Sequence, residues 1–152
     1  MRYFRPILSA AAVLSLAACG SQAGSTSGSE PPVFPLTLTR TGGIAGFHDE
    51  LLVASDGLVS VTQKGKPRQQ CRLTAQATKN VTAAAGRVPW ADLAAGSTSA
   101  SFPDDLVTMV ESKAGGPVRL EDPQIGAAGT TFQELLDDLT TGRSASGRCT
   151  PV

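Results

Sequence analysis

Apolar and polar positions alternate from Val33 to Arg40, with Phe34, Leu36 and Leu38 on one side and Thr37 and Thr39 on the other. A period of two predicts a half-buried strand. Three glycines within Thr41-Gly42-Gly43-Ile44-Ala45-Gly46 then break the pattern, and strand character returns from Phe47 to Ser55 around Leu51, Leu52 and Val53. Asp56-Gly57 is a hairpin turn signal, and Leu58 to Gln63 reads as the return strand. Lys64-Gly65-Lys66-Pro67 predicts another turn, after which Arg68 to Leu73 either extends the sheet or leads into a helix.

The period changes further along the chain. Thr74 to Ala85 is rich in Ala, Gln and Lys and is followed by Gly86, which predicts a helix and its stop. Val88 to Leu93 reads as a short helical or loop segment that turns Trp90 and Leu93 inward. Phe102-Pro103-Asp104-Asp105 leads to a strand over Leu106 to Ser112. The turn Lys113-Ala114-Gly115-Gly116 then connects it to a partner strand over Pro117 to Glu121. Phe132, Leu135, Leu136 and Leu139 stand at i, i+3, i+4 and i+7, one apolar helical stripe. Thr131 and Glu134 fit a capping box at its start, and Gly142 a stop. The order β-β-β-α-β-β-α predicts an α+β domain over residues 33–152, an antiparallel sheet with one or two helices on one face.

The first 32 residues follow other rules. Arg2 and Arg5 precede an uncharged run from Pro6 to Ala18. That run falls short of the roughly 20 residues a spanning helix needs and has the form of a secretory signal. Its end, Leu16-Ala17-Ala18-Cys19, resembles the bacterial lipobox, in which the thiol receives a diacylglyceryl group. An ordinary signal peptide with an incidental cysteine is the alternative, but Cys at this position followed by a linker favours lipidation. Two acyl chains, at about 0.8 kcal/mol per buried methylene, form a durable anchor. The expected organisation is a signal peptide over 1–18, a lipidated Cys19 with a flexible Ser/Gly-rich tether over 19–32, and then the domain. The expected location is the cell membrane, lipid-anchored on its extracytoplasmic side.

Charge and cysteine content narrow the function. The chain has 13 basic and 13 acidic residues; loss of Arg2 and Arg5 with the signal leaves 11 against 13, a net charge of −2. That balance argues against a nucleic-acid partner, and a monomer is expected. With Cys19 lipidated, Cys71 and Cys149 remain as an even pair in an oxidising compartment, so a disulfide is expected. A zinc site is the competitor, yet two cysteines and the single His48 fall short of four ligands.

Catalytic patterns are missing. There is no His-Glu-x-x-His, no Walker or dinucleotide loop, and Gly24-Ser25-Thr26-Ser27-Gly28 places Thr where a nucleophile elbow needs Ser. His48-Asp49-Glu50 suggests an acid–base or metal cluster only until strand geometry sends His48 and Asp49 to opposite faces. Asp104-Asp105, Glu121-Asp122 and Asp137-Asp138 read as solvated turns and helix faces. No enzyme activity and no cofactor are expected.

The stretch Leu36-Thr37-Leu38-Thr39-Arg40-Thr41-Gly42-Gly43-Ile44-Ala45-Gly46-Phe47 resembles the opening of the emfourin-like proteins, inhibitors of protealysin and related thermolysin-like metalloproteases. Phe102-Pro103-Asp104, the strand Leu106–Ser112, the Gly-Gly turn, the strand at Val118 and the Leu-rich helix follow that family's order, so the likeness spans most of Val33 to Leu139. The chain departs from it in its signal and tether, its cysteine pair and a longer insertion from Val88 to Ser101. The resemblance implies that Arg40, Thr41, Gly42, Gly43, Ile44, Ala45, Gly46, Phe47 and His48 form a protease-contact loop. Ile44 and Phe47 would suit an S1′ pocket, and Arg40 and His48 would make polar contacts at its rim. From the residues alone, a wide hairpin or bulge with Ile44 packed in the core is an equal alternative. The leading expectation is therefore a surface-tethered inhibitor of a secreted thermolysin-like metalloprotease. The runner-up is a non-inhibitory envelope lipoprotein, a binding or assembly module whose binding surface lies elsewhere, near Trp90.

Overall fold

In the computed structural model, residues 33–93, 102, 104–141 and 147–152 are described. The signal, Cys19, the tether, most of the 88–101 insertion and Gly142 lie outside them. Seven strands form one antiparallel sheet: β1 (Leu36–Gly42), β2 (Phe47–Val53), β3 (Leu58–Gln63), β4 (Gln69–Leu73), β5 (Leu106–Ser112), β6 (Gly115–Arg119) and β7 (Cys149–Pro151). Their order across the sheet is β6-β5-β1-β2-β3-β4-β7. Helices α1 (Ala75–Ala85) and α2 (Ala127–Thr140) complete the α+β domain.

Register explains why both helices share a face. Leu38 stands opposite Leu51 on β2 and Val110 on β5, and Leu51 stands opposite Val61 on β3. Directly opposed side chains point the same way, so these residues form one apolar face. Phe132, Leu135, Leu136 and Leu139 of α2 and Ala77, Val81 and Ala84 of α1 join them in a single buried cluster. The opposite face carries Thr37, Thr39, Leu52 and Thr62, none of which belongs to that cluster. Each fully buried Leu or Phe contributes roughly 1.5–3 kcal/mol, which makes the helix-covered face the main source of stability.

Local chemistry sets the ends of the elements. The Asp56-Gly57 turn is closed by the Leu58 amide donating to Asp56 Oδ1 at 3.0 Å. That bond, with the Arg72 guanidinium beside it, holds the Asp56 carboxyl below the usual carboxylate range. Thr74 caps α1, its hydroxyl accepting from the Ala77 amide. Trp90, in a 3-10 turn over Trp90–Asp92, is 3% exposed and donates its indole N–H to the Ala85 carbonyl at 2.8 Å. It thereby satisfies one of the carbonyls that a helix C-terminus leaves unpaired. The Trp90 side chain is consumed inside the fold and offers a partner no surface of its own.

One open alternative resolves, the expected disulfide is present, and two expectations change. Arg68 to Leu73 resolves as strand β4, and the C-terminal tail adds β7 beside it. Cys71 and Cys149, on these two strands, form a disulfide with their Cα atoms 5.7 Å apart. The β5–β6 turn is only Lys113-Ala114, so β6 starts at Gly115; Ser112 Oγ accepts the Ala114 amide at 2.9 Å and closes the turn without glycine. The Thr131–Glu134 capping box does not form, because α2 already begins at Ala127 and both residues lie inside it. Its first turn, Ala127-Ala128-Gly129-Thr130, is small enough to press against β6's exit: a Cβ on Gly129 would stand 2.6 Å from the Leu120 carbonyl oxygen.

The direction of β1 fixes the layout of the two sheet ends. Val33 lies beside the β5–β6 turn, its carbonyl accepting from Ser112 Oγ at 2.9 Å. At the other end lie the β1–β2 turn, the β3–β4 turn and the start of β5.

Candidate functional site

The site is built around the turn joining β1 to β2. Pairing continues to Gly42 opposite Phe47, leaving Gly43 to Gly46 as a four-residue turn closed by the Gly46 amide on the Gly43 carbonyl at 2.9 Å. The Gly43 amide donates to the Asp105 carbonyl at 3.0 Å, which ties the turn to the start of β5. Gly42 has a φ of +87°, and a Cβ there would stand 2.2 Å from that same carbonyl oxygen. Only glycine satisfies both constraints. Gly42→Ala is therefore expected to destabilise the domain by about 2 kcal/mol or more, since backbone strain alone costs roughly 1–3 kcal/mol. A urea midpoint within error of the parent would show that the turn relaxes freely.

At the tip, Ile44 is 95% exposed, so the alternative that packs it in the core does not describe this turn. Phe47 and Leu106 flank Gly43; an added Cβ there would lie 3.4 Å from each side chain. Ile44, Phe47, Leu106 and Phe102 are four of the six large apolar side chains exposed among the described residues, so exposed apolar side chains gather at this end of the sheet. Exposed apolar side chains gathered at one end of a small domain point to an interaction surface.

Beneath the turn lies a buried ionic network. Arg40 is expected at the rim but is only 7% exposed, so this placement is corrected: its donors point inward. Its Nε and Nη2 donate to Asp49 Oδ2 at 2.9 and 2.6 Å, its Nη1 to Asp137 Oδ1 at 2.7 Å, and its Nη2 also to Thr140 Oγ1 at 2.7 Å. Gln63 Nε2 donates to Asp49 Oδ1 and to the Thr140 carbonyl, at 3.1 and 3.0 Å. Phe47 covers the assembly, its ring centre 4.8 Å from the Arg40 guanidinium carbon, within cation–π range. The network joins β1, β2, β3 and α2 directly under the tip, so Arg40 positions the turn rather than meeting a partner.

The strand geometry separates the remaining polar residues as expected. His48 and Thr41 are exposed and stand opposite each other on the helix-free side, whereas Asp49 is 5% exposed and faces inward. Asp49, Asp137, Gln63 and Thr140 are the participants that the sequence reading missed. A signal for the first was present: Arg40 continues the inward phase of Leu36 and Leu38, and Asp49 that of Leu51 and Val53. Two opposite charges on inward positions of adjacent strands announce a buried pair. Asp137, by contrast, is 97 residues from Arg40 and carries no local sign. Among the described residues no three His, Cys, Asp or Glu side chains converge as a metal site, and no helix is long and apolar enough to cross a membrane. No protein-family model, curated protein or solved structure matches the chain, so what the site does is read from its own residues and geometry.

Proposed function

We propose that this chain is a lipid-anchored inhibitor that blocks a thermolysin-like metalloprotease by placing Ile44 in an apolar pocket of the protease cleft. The observation that carries this reading is a β-branched apolar side chain held almost fully in solvent on a turn that is hydrogen-bonded on both sides and braced from below. Preorganisation of this kind lowers the ordering cost of binding. Glycines on either side remove bulk and let the turn approach a partner closely. Inhibition then needs no chemistry from the inhibitor, only occlusion. The resemblance of Leu36–Phe47 to the emfourin-like opening selects the protease class, and the lipobox-like Leu16-Ala17-Ala18-Cys19 supplies the anchor.

The test uses the mature chain with Cys19→Ser, titrated against thermolysin-like proteases with a peptide substrate and a serine protease as control. Stoichiometric inhibition of the metalloprotease alone is expected. Ile44→Asp is expected to weaken it by at least about 30-fold, since the buried side chain is worth roughly 1.5–3 kcal/mol and the charge adds a desolvation penalty. The same substitution should leave thermal stability unchanged, because the side chain touches little of its own fold. Inhibition of no metalloprotease by a correctly folded chain would leave a tethered binding module instead.

A further inference from the structure

The apolar tip has a charged flank that its inhibitory reading does not use. Lys64, Lys66 and Arg68 occupy three alternate positions of the β3–β4 turn, with no acidic residue between Thr62 and Gln69. All three are exposed, and none takes part in an ion pair found among the described residues. The turn is tied to the site: the Lys64 amide donates to the His48 carbonyl, and Lys66 Nζ to Gln63 Oε1, each at 3.1 Å. A cleft of about 210 Å³ separates this turn from the β1–β2 turn, lined by Gly46, Phe47, His48, Gln63, Lys64 and Lys66 among others. Lys64 Nζ reaches across it to within 3.7 Å of the place where a Cβ on Gly46 would stand. The buried Asp49 carboxylate borders the cleft but is already engaged by Arg40 and Gln63.

We infer that the partner's apolar pocket is bordered on one side by carboxylates, one of which seats in the cleft between Gly46 and Lys64. This rests on the reading of the Ile44 turn as the docking element and names the chemistry beside it. A carboxylate there meets the Lys64 ammonium where glycine leaves the floor open. Asp104 and Asp105 lie on the opposite flank, at the start of β5, so the two sides of the tip carry opposite charge. Such polarity fixes how a partner sits and speeds its approach more than it deepens affinity. An anionic lipid surface would suit an apolar tip beside lysines as well. The acidic flank and Glu50, exposed on β2, argue for the protein partner, whose charges can be arranged to match both sides.

The experiment measures association and dissociation rates of the mature Cys19→Ser chain with the inhibited metalloprotease at low and high salt. Lys64→Glu is expected to lower the association rate about tenfold at low ionic strength, with the difference shrinking to about twofold in 0.5 M salt, as screening requires. Lys64→Gln should fall between, about threefold below the parent. Both variants should keep the parent's melting temperature, since Lys64 is exposed. An unchanged association rate and salt dependence in Lys64→Glu, with Ile44→Asp still abolishing inhibition, overturns the acidic-rim inference and leaves the inhibitor reading standing. Failure of the parent to bind any metalloprotease removes both. Lys64-dependent binding to phosphatidylglycerol vesicles, with protease association insensitive to salt, overturns the inference in favour of a membrane surface.

Discussion

Asp49→Ala is expected to lower the stability of the domain by roughly 3–5 kcal/mol, the effect of leaving one member of a buried ion pair without its partner. Arg40 would keep Asp137 and Thr140, but Asp137 is 41% exposed, and a pair screened to that degree contributes less than about 1 kcal/mol. Its guanidinium would therefore stay buried with its main counter-charge gone. At an m-value of about 2 kcal/mol per molar for urea, the midpoint should fall by about 2 M. The double variant Arg40→Met with Asp49→Leu separates charge burial from packing. Replacing both members with apolar residues of similar reach often restores stability, so it should recover most of the loss. Its turn, however, would lose the brace that holds Phe47, and its inhibitory strength should fall even as its melting temperature returns. A fall in midpoint below about 0.5 M for Asp49→Ala would show that water or a rearranged Asp137 compensates, and that the network is not what supports the turn.

The second large effect belongs to the disulfide. Cys71 and Cys149 are 78 residues apart, and closing a loop of that length is worth up to about 4.5 kcal/mol on chain-entropy grounds. Cys71→Ser with Cys149→Ser should lower the melting temperature by about 15 °C, at roughly 4 °C per kcal/mol for a domain of this size. The loss has a structural address, since β7 is three residues long and pairs only with β4. Calorimetry with and without a reducing agent checks this; a shift of under about 5 °C would mean that β7 holds its place by backbone pairing alone. Ile44 sits on the β1–β2 turn, with β3 between β2 and the bridged strands, so the proposed inhibition should persist at low temperature in the reduced protein.

Much of the architecture was legible because it follows from local periodicity. The bounds of β3 and β5 coincide with the alternating runs Leu58–Gln63 and Leu106–Ser112, and α1 runs from its Thr74 cap to Gly86. What local pattern could not disclose came from long-range packing. The α2 stripe from Phe132 to Leu139 predicts a helix, but its true start at Ala127 depends on how near the helix must pass to Leu120. Strand β7 is three residues of no strong propensity, and it exists because a cysteine 78 positions away and the β4 edge receive it. The site divides in the same way. The glycines of the turn were visible as glycines, and the tip as an apolar residue among them. Arg40 was placed outward because the resemblance made it a contact residue, while its phase with Leu38 pointed inward. The apolar neighbour Leu106 reaches the turn only through the β1–β5 pairing.

Val33 enters at the end of the sheet away from Ile44, and β1, seven residues long, spans about 20 Å between them at strand rise. An acyl group on Cys19 would thus hold the domain by its foot, with the bilayer below and the glycine turn uppermost. The length of β1 alone would then keep the turn about 20 Å further from the lipid than Val33. A soluble enzyme diffusing past would find its target presented outward from any direction. One lying flat on the same membrane would meet the foot of the domain and not its tip.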